Sequence, residues 1–146
     1  MNVVNITSNI DGNNTTIDVI NSYIDACSNL LTHYDVAIIV HKVFKNRYRF
    51  LGQSKWEYLD RDTNTWIVDE RKKKLKSDIK TVIADLFISR AMYWYGESNK
   101  VRDINQEIHV KFMSEKMLRA SHKIRNDKFI DVVIREAKPF FDIHND

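Results

Sequence analysis

Two carboxylates one residue apart, Asp60 and Asp62 in "YLDRDTN", have the spacing that sets both on one side of a strand, where metal ions could bridge them for phosphoryl transfer. Asp, Asn and Thr are also the residues that a hairpin turn prefers, and the pattern brings no third carboxylate or histidine to the same place. The turn reading outweighs the catalytic one. Other chemistry has less to start from. Gly12, Gly52 and Gly96 stand alone, so no glycine-rich loop is available to cradle nucleotide phosphates. His33, His41, His109, His122 and His144 show neither HExxH nor any other ligand spacing. Cys27, the only cysteine, falls on the apolar side of a helical pattern and reads as core rather than as a nucleophile. No catalytic residue and no metal ligand is assigned, and no cofactor is implied.

Charge and aromatic residues remain. The stretch "KWEYLDRDTNTWIVDERKKKLK", Lys55 to Lys76, sets two tryptophans beside an acidic turn and then opens a helical pattern with Arg71, Lys72, Lys73, Lys74, Lys76 and, a turn later, Lys80. Cations at a helix N-terminus oppose the macrodipole by a few tenths of a kcal/mol each, so something outside the fold is expected to reward them. Together with Arg47 and Arg49 they are the candidate phosphate contacts, and Trp56, Tyr58 and Trp66 are the candidate base-stacking surfaces. Packing against helices is the commoner fate of such hairpin aromatics. All 23 Lys and Arg residues lie beyond residue 41, with all but four of the 20 acids, which leaves that part of the chain with an excess of +7. A polyanionic partner fits this asymmetry. The same basic run also fits a nuclear import signal, in which the lysines would be a receptor address.

The elements that must position these residues follow from composition and periodicity. A chain of 146 residues, 43% hydrophobic and 29% charged, is the size of one domain with one core. With 3 glycines and 1 proline it should be mostly helical. No run of about 18 apolar residues exists and the opening "MNVVNITSNIDGNNTT" lacks the features of a signal peptide, so neither membrane insertion nor export is expected. A single cysteine excludes an internal disulfide and suits an intracellular compartment.

Residues 1–14 read as a mobile tail and 15–146 as the domain. A first helix is expected from Thr15 or Thr16, with Ile17, Ile20, Ile24 and Leu31 recurring at helical spacing. Thr32 and Asp35 form a capping box for a second helix that buries Val36, Ile39, Val40, Val43 and Phe44. "RYRFL", "KWEYLD" and "TWIVD" then read as a meander over Tyr48 to Val68, with Trp56 and Trp66 paired across its hairpin. A long helix from Arg71 to Tyr95 is expected to bury Leu75, Ile79, Val82, Ile83, Leu86 and Trp94. Two more helices follow, the last capped by Asn126 or Asp127 and ended by Pro139. The fold class is α+β, mostly helical: four to five helices around a small antiparallel β-meander, a layout of winged-helix-like kind.

"YDVAIIVHKVFKNRYRF", "KWEYLDRDTNTWIVDE", the basic helix and "FIDVVIREAKPFFD", taken in that order, resemble the N-terminal accessory region of poxvirus-type, superfamily 3 helicase-primases of large DNA viruses, phages and plasmids. The resemblance covers about residues 33 to 142. Its most specific parts are Trp56, Tyr58 and Trp66, and the late "IREAKPFFD", Ile134 to Asp142. In that family the region lies between a primase domain and a helicase, and the catalytic positions of both have no counterpart here. The resemblance therefore implies a domain excised from a longer protein or a small stand-alone relative. Its role would be non-catalytic: an accessory module that binds DNA, single-stranded or duplex, and supports the helicase or primase domains of the same replication system, in the host cytoplasm or nucleus if viral. Self-association is left open. The runner-up is a protein-interaction or linker module that supports helicase assembly without touching nucleic acid. An enzyme, resting on Asp60 and Asp62 alone, comes third.

Overall fold

The computed structural model describes residues 14–100 and 103–144, so nearly all of the expected tail lies outside the described residues. Helix α1 (Asn14–Ala26) leads to α2 (His33–Phe44), then to strands β1 (Tyr48–Phe50), β2 (Trp56–Asp60) and β3 (Thr65–Val68). A tight helical turn, Glu70–Lys72, precedes the long helix α3, built in three pieces, Lys73–Asp78, Ile79–Ile83 and Ala84–Glu97. Helices α4 (Ile104–Ile124) and α5 (Asp127–Phe141) complete the chain. The expected α+β, mostly helical class holds, with five helices and one three-stranded antiparallel meander, ordered β1-β2-β3, among the described residues.

Local chemistry explains most of the boundaries. Thr32 and Asp35 form the expected capping box, the Thr32 hydroxyl accepting from the Asp35 N–H at 3.0 Å. Asp103 and Asn126 cap α4 and α5 in the same way, each side chain accepting from a backbone N–H in the first turn. Pro139 does not end α5, which continues to Phe141. So close to the C-terminus the proline costs only one intrahelical hydrogen bond, and the burial of Phe141 against Trp56, with ring centroids 5.4 Å apart, holds the last turn in place.

One core joins these helices to the inner face of the sheet. It includes Ile20 and Ile24 of α1, the five expected residues of α2, and Tyr48, Phe50 and Trp56 of the meander. Leu75, Ile79, Ile83 and Leu86 are buried as expected, whereas Val82 and Trp94 are half-buried at the margin. The middle piece of α3, Ile79–Ile83, is a π-helical turn. Its wider winding rotates the apolar stripe, so the first piece, with Leu75 buried, packs beside α5 while the last piece, with Ala84, Phe87 and Ala91 buried, runs along α4.

The other end of the core is fastened by polar groups. Asp25, near the end of α1, accepts from Arg90 Nε and Nη2 at 2.9 and 2.6 Å and from Trp94 Nε1 at 2.9 Å. Lys116 of α4 is buried and donates to the carbonyls of Asp25 and Cys27 at 2.8 and 2.9 Å, satisfying the exposed C-terminal carbonyls of α1 with a cation.

The tryptophans do not pair across the hairpin. Tyr58 opposes Ile67 and Leu59 opposes Trp66, which sets Trp56 and Tyr58 on the inner face and Trp66 with Leu59 on the outer face. The cause is the turn: Asp60 pairs with Thr65 across a four-residue loop in which Asn64 takes a left-handed φ of 56°, and register fixes the face of every residue behind it. Trp56→Ala should therefore lower folding stability by about 3 to 5 kcal/mol in urea denaturation. Trp66→Ala, on the outer face, should cost less than about 1 kcal/mol in the same measurement. Equal losses would contradict this assignment of faces.

Candidate nucleic-acid interface

The basic turn after β3 is held by one acid. Asp69 is buried, and its N–H donates to the Trp56 carbonyl at 2.9 Å, which ends the sheet. Its carboxylate then reaches past four residues to accept from the Lys74 and Leu75 N–H groups, both at 2.9 Å. These are free donors at the start of α3, and a carboxylate there offsets the unfavourable cations around it. To make that reach, Arg71 and Lys72 both adopt left-handed backbone, with φ of 55° and 59°. Such geometry costs a non-glycine residue about 1 to 2 kcal/mol, a sum of the same order as two charge-assisted hydrogen bonds at about 1.5 to 3 kcal/mol each. Helix α3 thus begins at Lys73 rather than at Arg71.

The basic residues expected to contact phosphate divide into two groups. Lys76 is paired with Asp131 of α5 at 2.7 Å, and Lys80 with Asp127 one turn away, whose carboxyl it holds below the usual range. Lys74 reaches Asp78 at 3.5 Å and lies over the Tyr58 ring. Arg49 pairs with Glu57 at 2.7 Å and stacks on Trp66 with its guanidinium carbon 4.3 Å from the ring centroid. Arg47 is half-buried over the Phe44 ring. By contrast, the side chains of Arg71, Lys72 and Lys73 form no ion pair among the described residues.

The aromatics also separate. Trp56 is 1% exposed and closed to any ligand. Tyr58 is half-buried against the core with Lys74 over its ring, and Trp66 has one face covered by Arg49. Of the three candidate stacking residues, Trp66 alone has a ring on the outer surface. It lines a hollow of about 360 Å³ with Lys45, Arg49 and Phe140.

Folding creates a second surface that the linear pattern leaves unannounced. Between the start of α3 and α5 lies a cleft of about 390 Å³, lined by Lys72, Lys76, Asp131, Arg135 and Lys138. Lys138 lies over the Phe50 ring, with its nitrogen 5.3 Å from the centroid, and Arg135 has no partner among the described residues. Sequence reasoning missed Arg135 and Lys138. A signal existed: Asp131, Arg135 and Lys138 stand at i, i+4 and i+7 on α5, opposite the buried Ile130, Val133 and Ala137.

Asp60 and Asp62 are turn residues in the structure, the Asp60 carboxylate accepting from the Asp62 N–H at 3.0 Å. Cys27 is core, and burial, with Asp35 adding to it, pushes its thiol up to about 12. His41 is stacked on Phe140, and burial followed by the charges of Lys42 and Lys45 lowers its pKa. No helix among the described residues is long and apolar enough to cross a membrane. Compared with protein-family models and with curated proteins, the chain matches none.

Two measurements follow from this geometry. Asp69→Ala removes the carboxylate that accepts from the start of α3 and should cost about 1 to 2 kcal/mol in thermal or urea unfolding, with the loss of amide protection concentrated at Lys74 and Leu75. An unchanged midpoint would mean that the left-handed turn holds itself. For Cys27 the folded pKa is raised, so its contribution is complete below the unfolded value of about 8.5 and is lost as pH rises toward the folded value. Between those limits wild type should lose up to about 1.4 kcal/mol per pH unit more than Cys27→Ala in urea melts. Parallel pH curves for the two proteins would show a thiol that ionises in the folded state.

Proposed function

We propose that this chain is a non-catalytic nucleic-acid-binding module that serves as an accessory to a DNA-replication helicase-primase system. One observation carries the binding part: four cations, Lys72 from the turn before α3, Lys76 from α3, and Arg135 and Lys138 from α5, converge on one cleft with a single carboxylate among them. Arg71 and Lys73, exposed beside that cleft, extend the positive surface. Such a surface binds a polyanion through release of condensed counter-ions, without reading sequence. The order of the aromatic and basic segments, which resembles the accessory region of superfamily 3 helicase-primases, supplies the replication context and nothing more specific.

A second reading, a protein-interaction module in helicase assembly, is favoured by α4. Its outward face carries Ile104, Ile108 and Leu118 at 69%, 62% and 45% exposure, directly opposite its buried residues Met113, Met117 and Ile124. A surface helix normally keeps that face polar.

Salt dependence separates the two readings. In fluorescence anisotropy titrations with single-stranded and duplex DNA, affinity should fall steeply with salt. The triple variant Arg71→Gln, Lys72→Gln, Lys73→Gln should lower the log–log slope by about 0.7 to 0.9 for each phosphate it no longer neutralises, while its unfolding midpoint stays close to that of wild type. Binding with the slope unaltered in the triple variant would remove Arg71, Lys72 and Lys73 from the contact surface, and no binding at all would favour the protein-interaction reading.

A further inference from the structure

We propose that the cleft between α3 and α5 holds one backbone phosphate of a nucleic-acid strand, with Asp131 as the internal counter-ion that phosphate displaces from Lys76, an inference that rests on the nucleic-acid reading above. Lys72, Lys76, Arg135 and Lys138 face Asp131 across about 390 Å³, a formal excess of three positive charges in a space large enough for a phosphate and its sugar. Two of the lining residues are positioned by the fold. The backbone of Lys72 is set by the left-handed turn beneath the Asp69 cap, and Lys138 is laid across Phe50. Arg135 is exposed and uncommitted among the described residues, with a planar fork suited to two oxygens of one phosphate.

Asp131 is the informative residue. It holds Lys76 at 2.7 Å, with side-chain exposures of 44% and 29% for the two partners. The oxygen that holds Lys76, Asp131 Oδ1, is shielded from solvent, but both side chains are partly exposed, so the pair contributes modestly to stability and a phosphate can take the carboxylate's place at modest cost. While it stays, the carboxylate repels the incoming anion. Removing its charge should therefore tighten binding, the reverse of what loss of a binding residue does. The cleft is lined by charged side chains without an aromatic ring among the described residues, so the site takes the backbone and leaves the bases unread.

The test pairs each cleft variant with a distant variant of the same charge change. Binding of a fluorescent oligothymidine of about 20 nucleotides is titrated at several salt concentrations for Asp131→Asn, Arg135→Gln and Lys138→Gln. The controls are Glu115→Gln and Lys111→Gln on the outward side of α4. Arg135→Gln and Lys138→Gln should each weaken binding several-fold and lower the salt slope by about 0.7, while Lys111→Gln changes affinity less than about twofold. Asp131→Asn should tighten binding several-fold, and Glu115→Gln less than about twofold. Equal effects of the cleft and α4 variants would reduce the cleft to net charge and overturn the inference, leaving the broader reading intact through Arg71 and Lys73.

Inorganic phosphate alone, followed by amide shifts of residues 131–138 in wild-type protein, gives a readout independent of any variant's folding. Saturable shifts that disappear in Arg135→Gln support the site even if DNA does not bind, an outcome that would instead sink the nucleic-acid reading. Absence of such shifts together with absence of DNA binding would reject both.

Discussion

The contact on which the arrangement of sheet and helices depends is the buried Asp69 carboxylate, which receives the Lys74 and Leu75 N–H groups immediately after its own N–H closes the sheet on Trp56. Three hydrogen bonds to one residue turn the chain from β3 into α3 with almost no linker. Glycine would be the ordinary choice for such a turn, yet Arg71 and Lys72 occupy the two left-handed positions. The strain is compensated locally by Asp69, and its effect is to set the backbone from which Lys72 reaches the cleft. A flexible glycine turn would place no charge there.

From that fixed start, α3 is tied to α5 by Lys76 with Asp131 and Lys80 with Asp127, pairs one helical turn apart on both helices. They lie at the surface, and surface pairs contribute between nothing and about 1 kcal/mol each. The apolar contacts beneath, Leu75 and Ile79 in the same core as Ile130 and Ile134, account for the adhesion of the two helices. The ion pairs set register and neutralise charge. Loss of the Asp131 pair, as the proposed phosphate binding requires, would consequently cost little of the fold's stability, so a positive cleft and a well-packed core can share the same two helices.

The parts of the fold that depend on local pattern could be read from the sequence: the Thr32–Asp35 capping box, the stripe of α2, the extent of the meander and the core role of Cys27 are each set by neighbours within a few positions. The parts that failed depend on one-residue differences or on distant packing. Trp66 moved to the outer face because a four-residue turn shifts register by one, and turn length in "DRDTNT" is not fixed by residue preference alone. The start of α3 moved to Lys73 because nothing in a run of lysines announces left-handed backbone. Val82 and Trp94 moved to the core margin because a stripe drawn at 3.6 residues per turn cannot anticipate a π-turn at Ile79–Ile83. Arg135 and Lys138 stand about sixty residues from the lysine run and join it only once α5 packs on α3.

The same packing separates two surfaces of opposite character. The cleft uses the first piece of α3, Lys73–Asp78, with α5, whereas α4 packs chiefly along the last piece, Ala84–Glu97, and turns Ile104, Ile108 and Leu118 outward. The π-turn between these pieces rotates one end of α3 relative to the other, so a single helix serves the sheet and α5 at its basic end and α4 at its apolar end. A straight α-helix of this sequence would carry Leu75 and Ala91 on stripes that drift out of phase with one of the two neighbours. A cluster of positive charge at one end and an apolar face at the other thus both follow from the π-turn in the middle of α3, and the proposed binding of a nucleic acid at the one and a protein at the other requires those two surfaces to be independent.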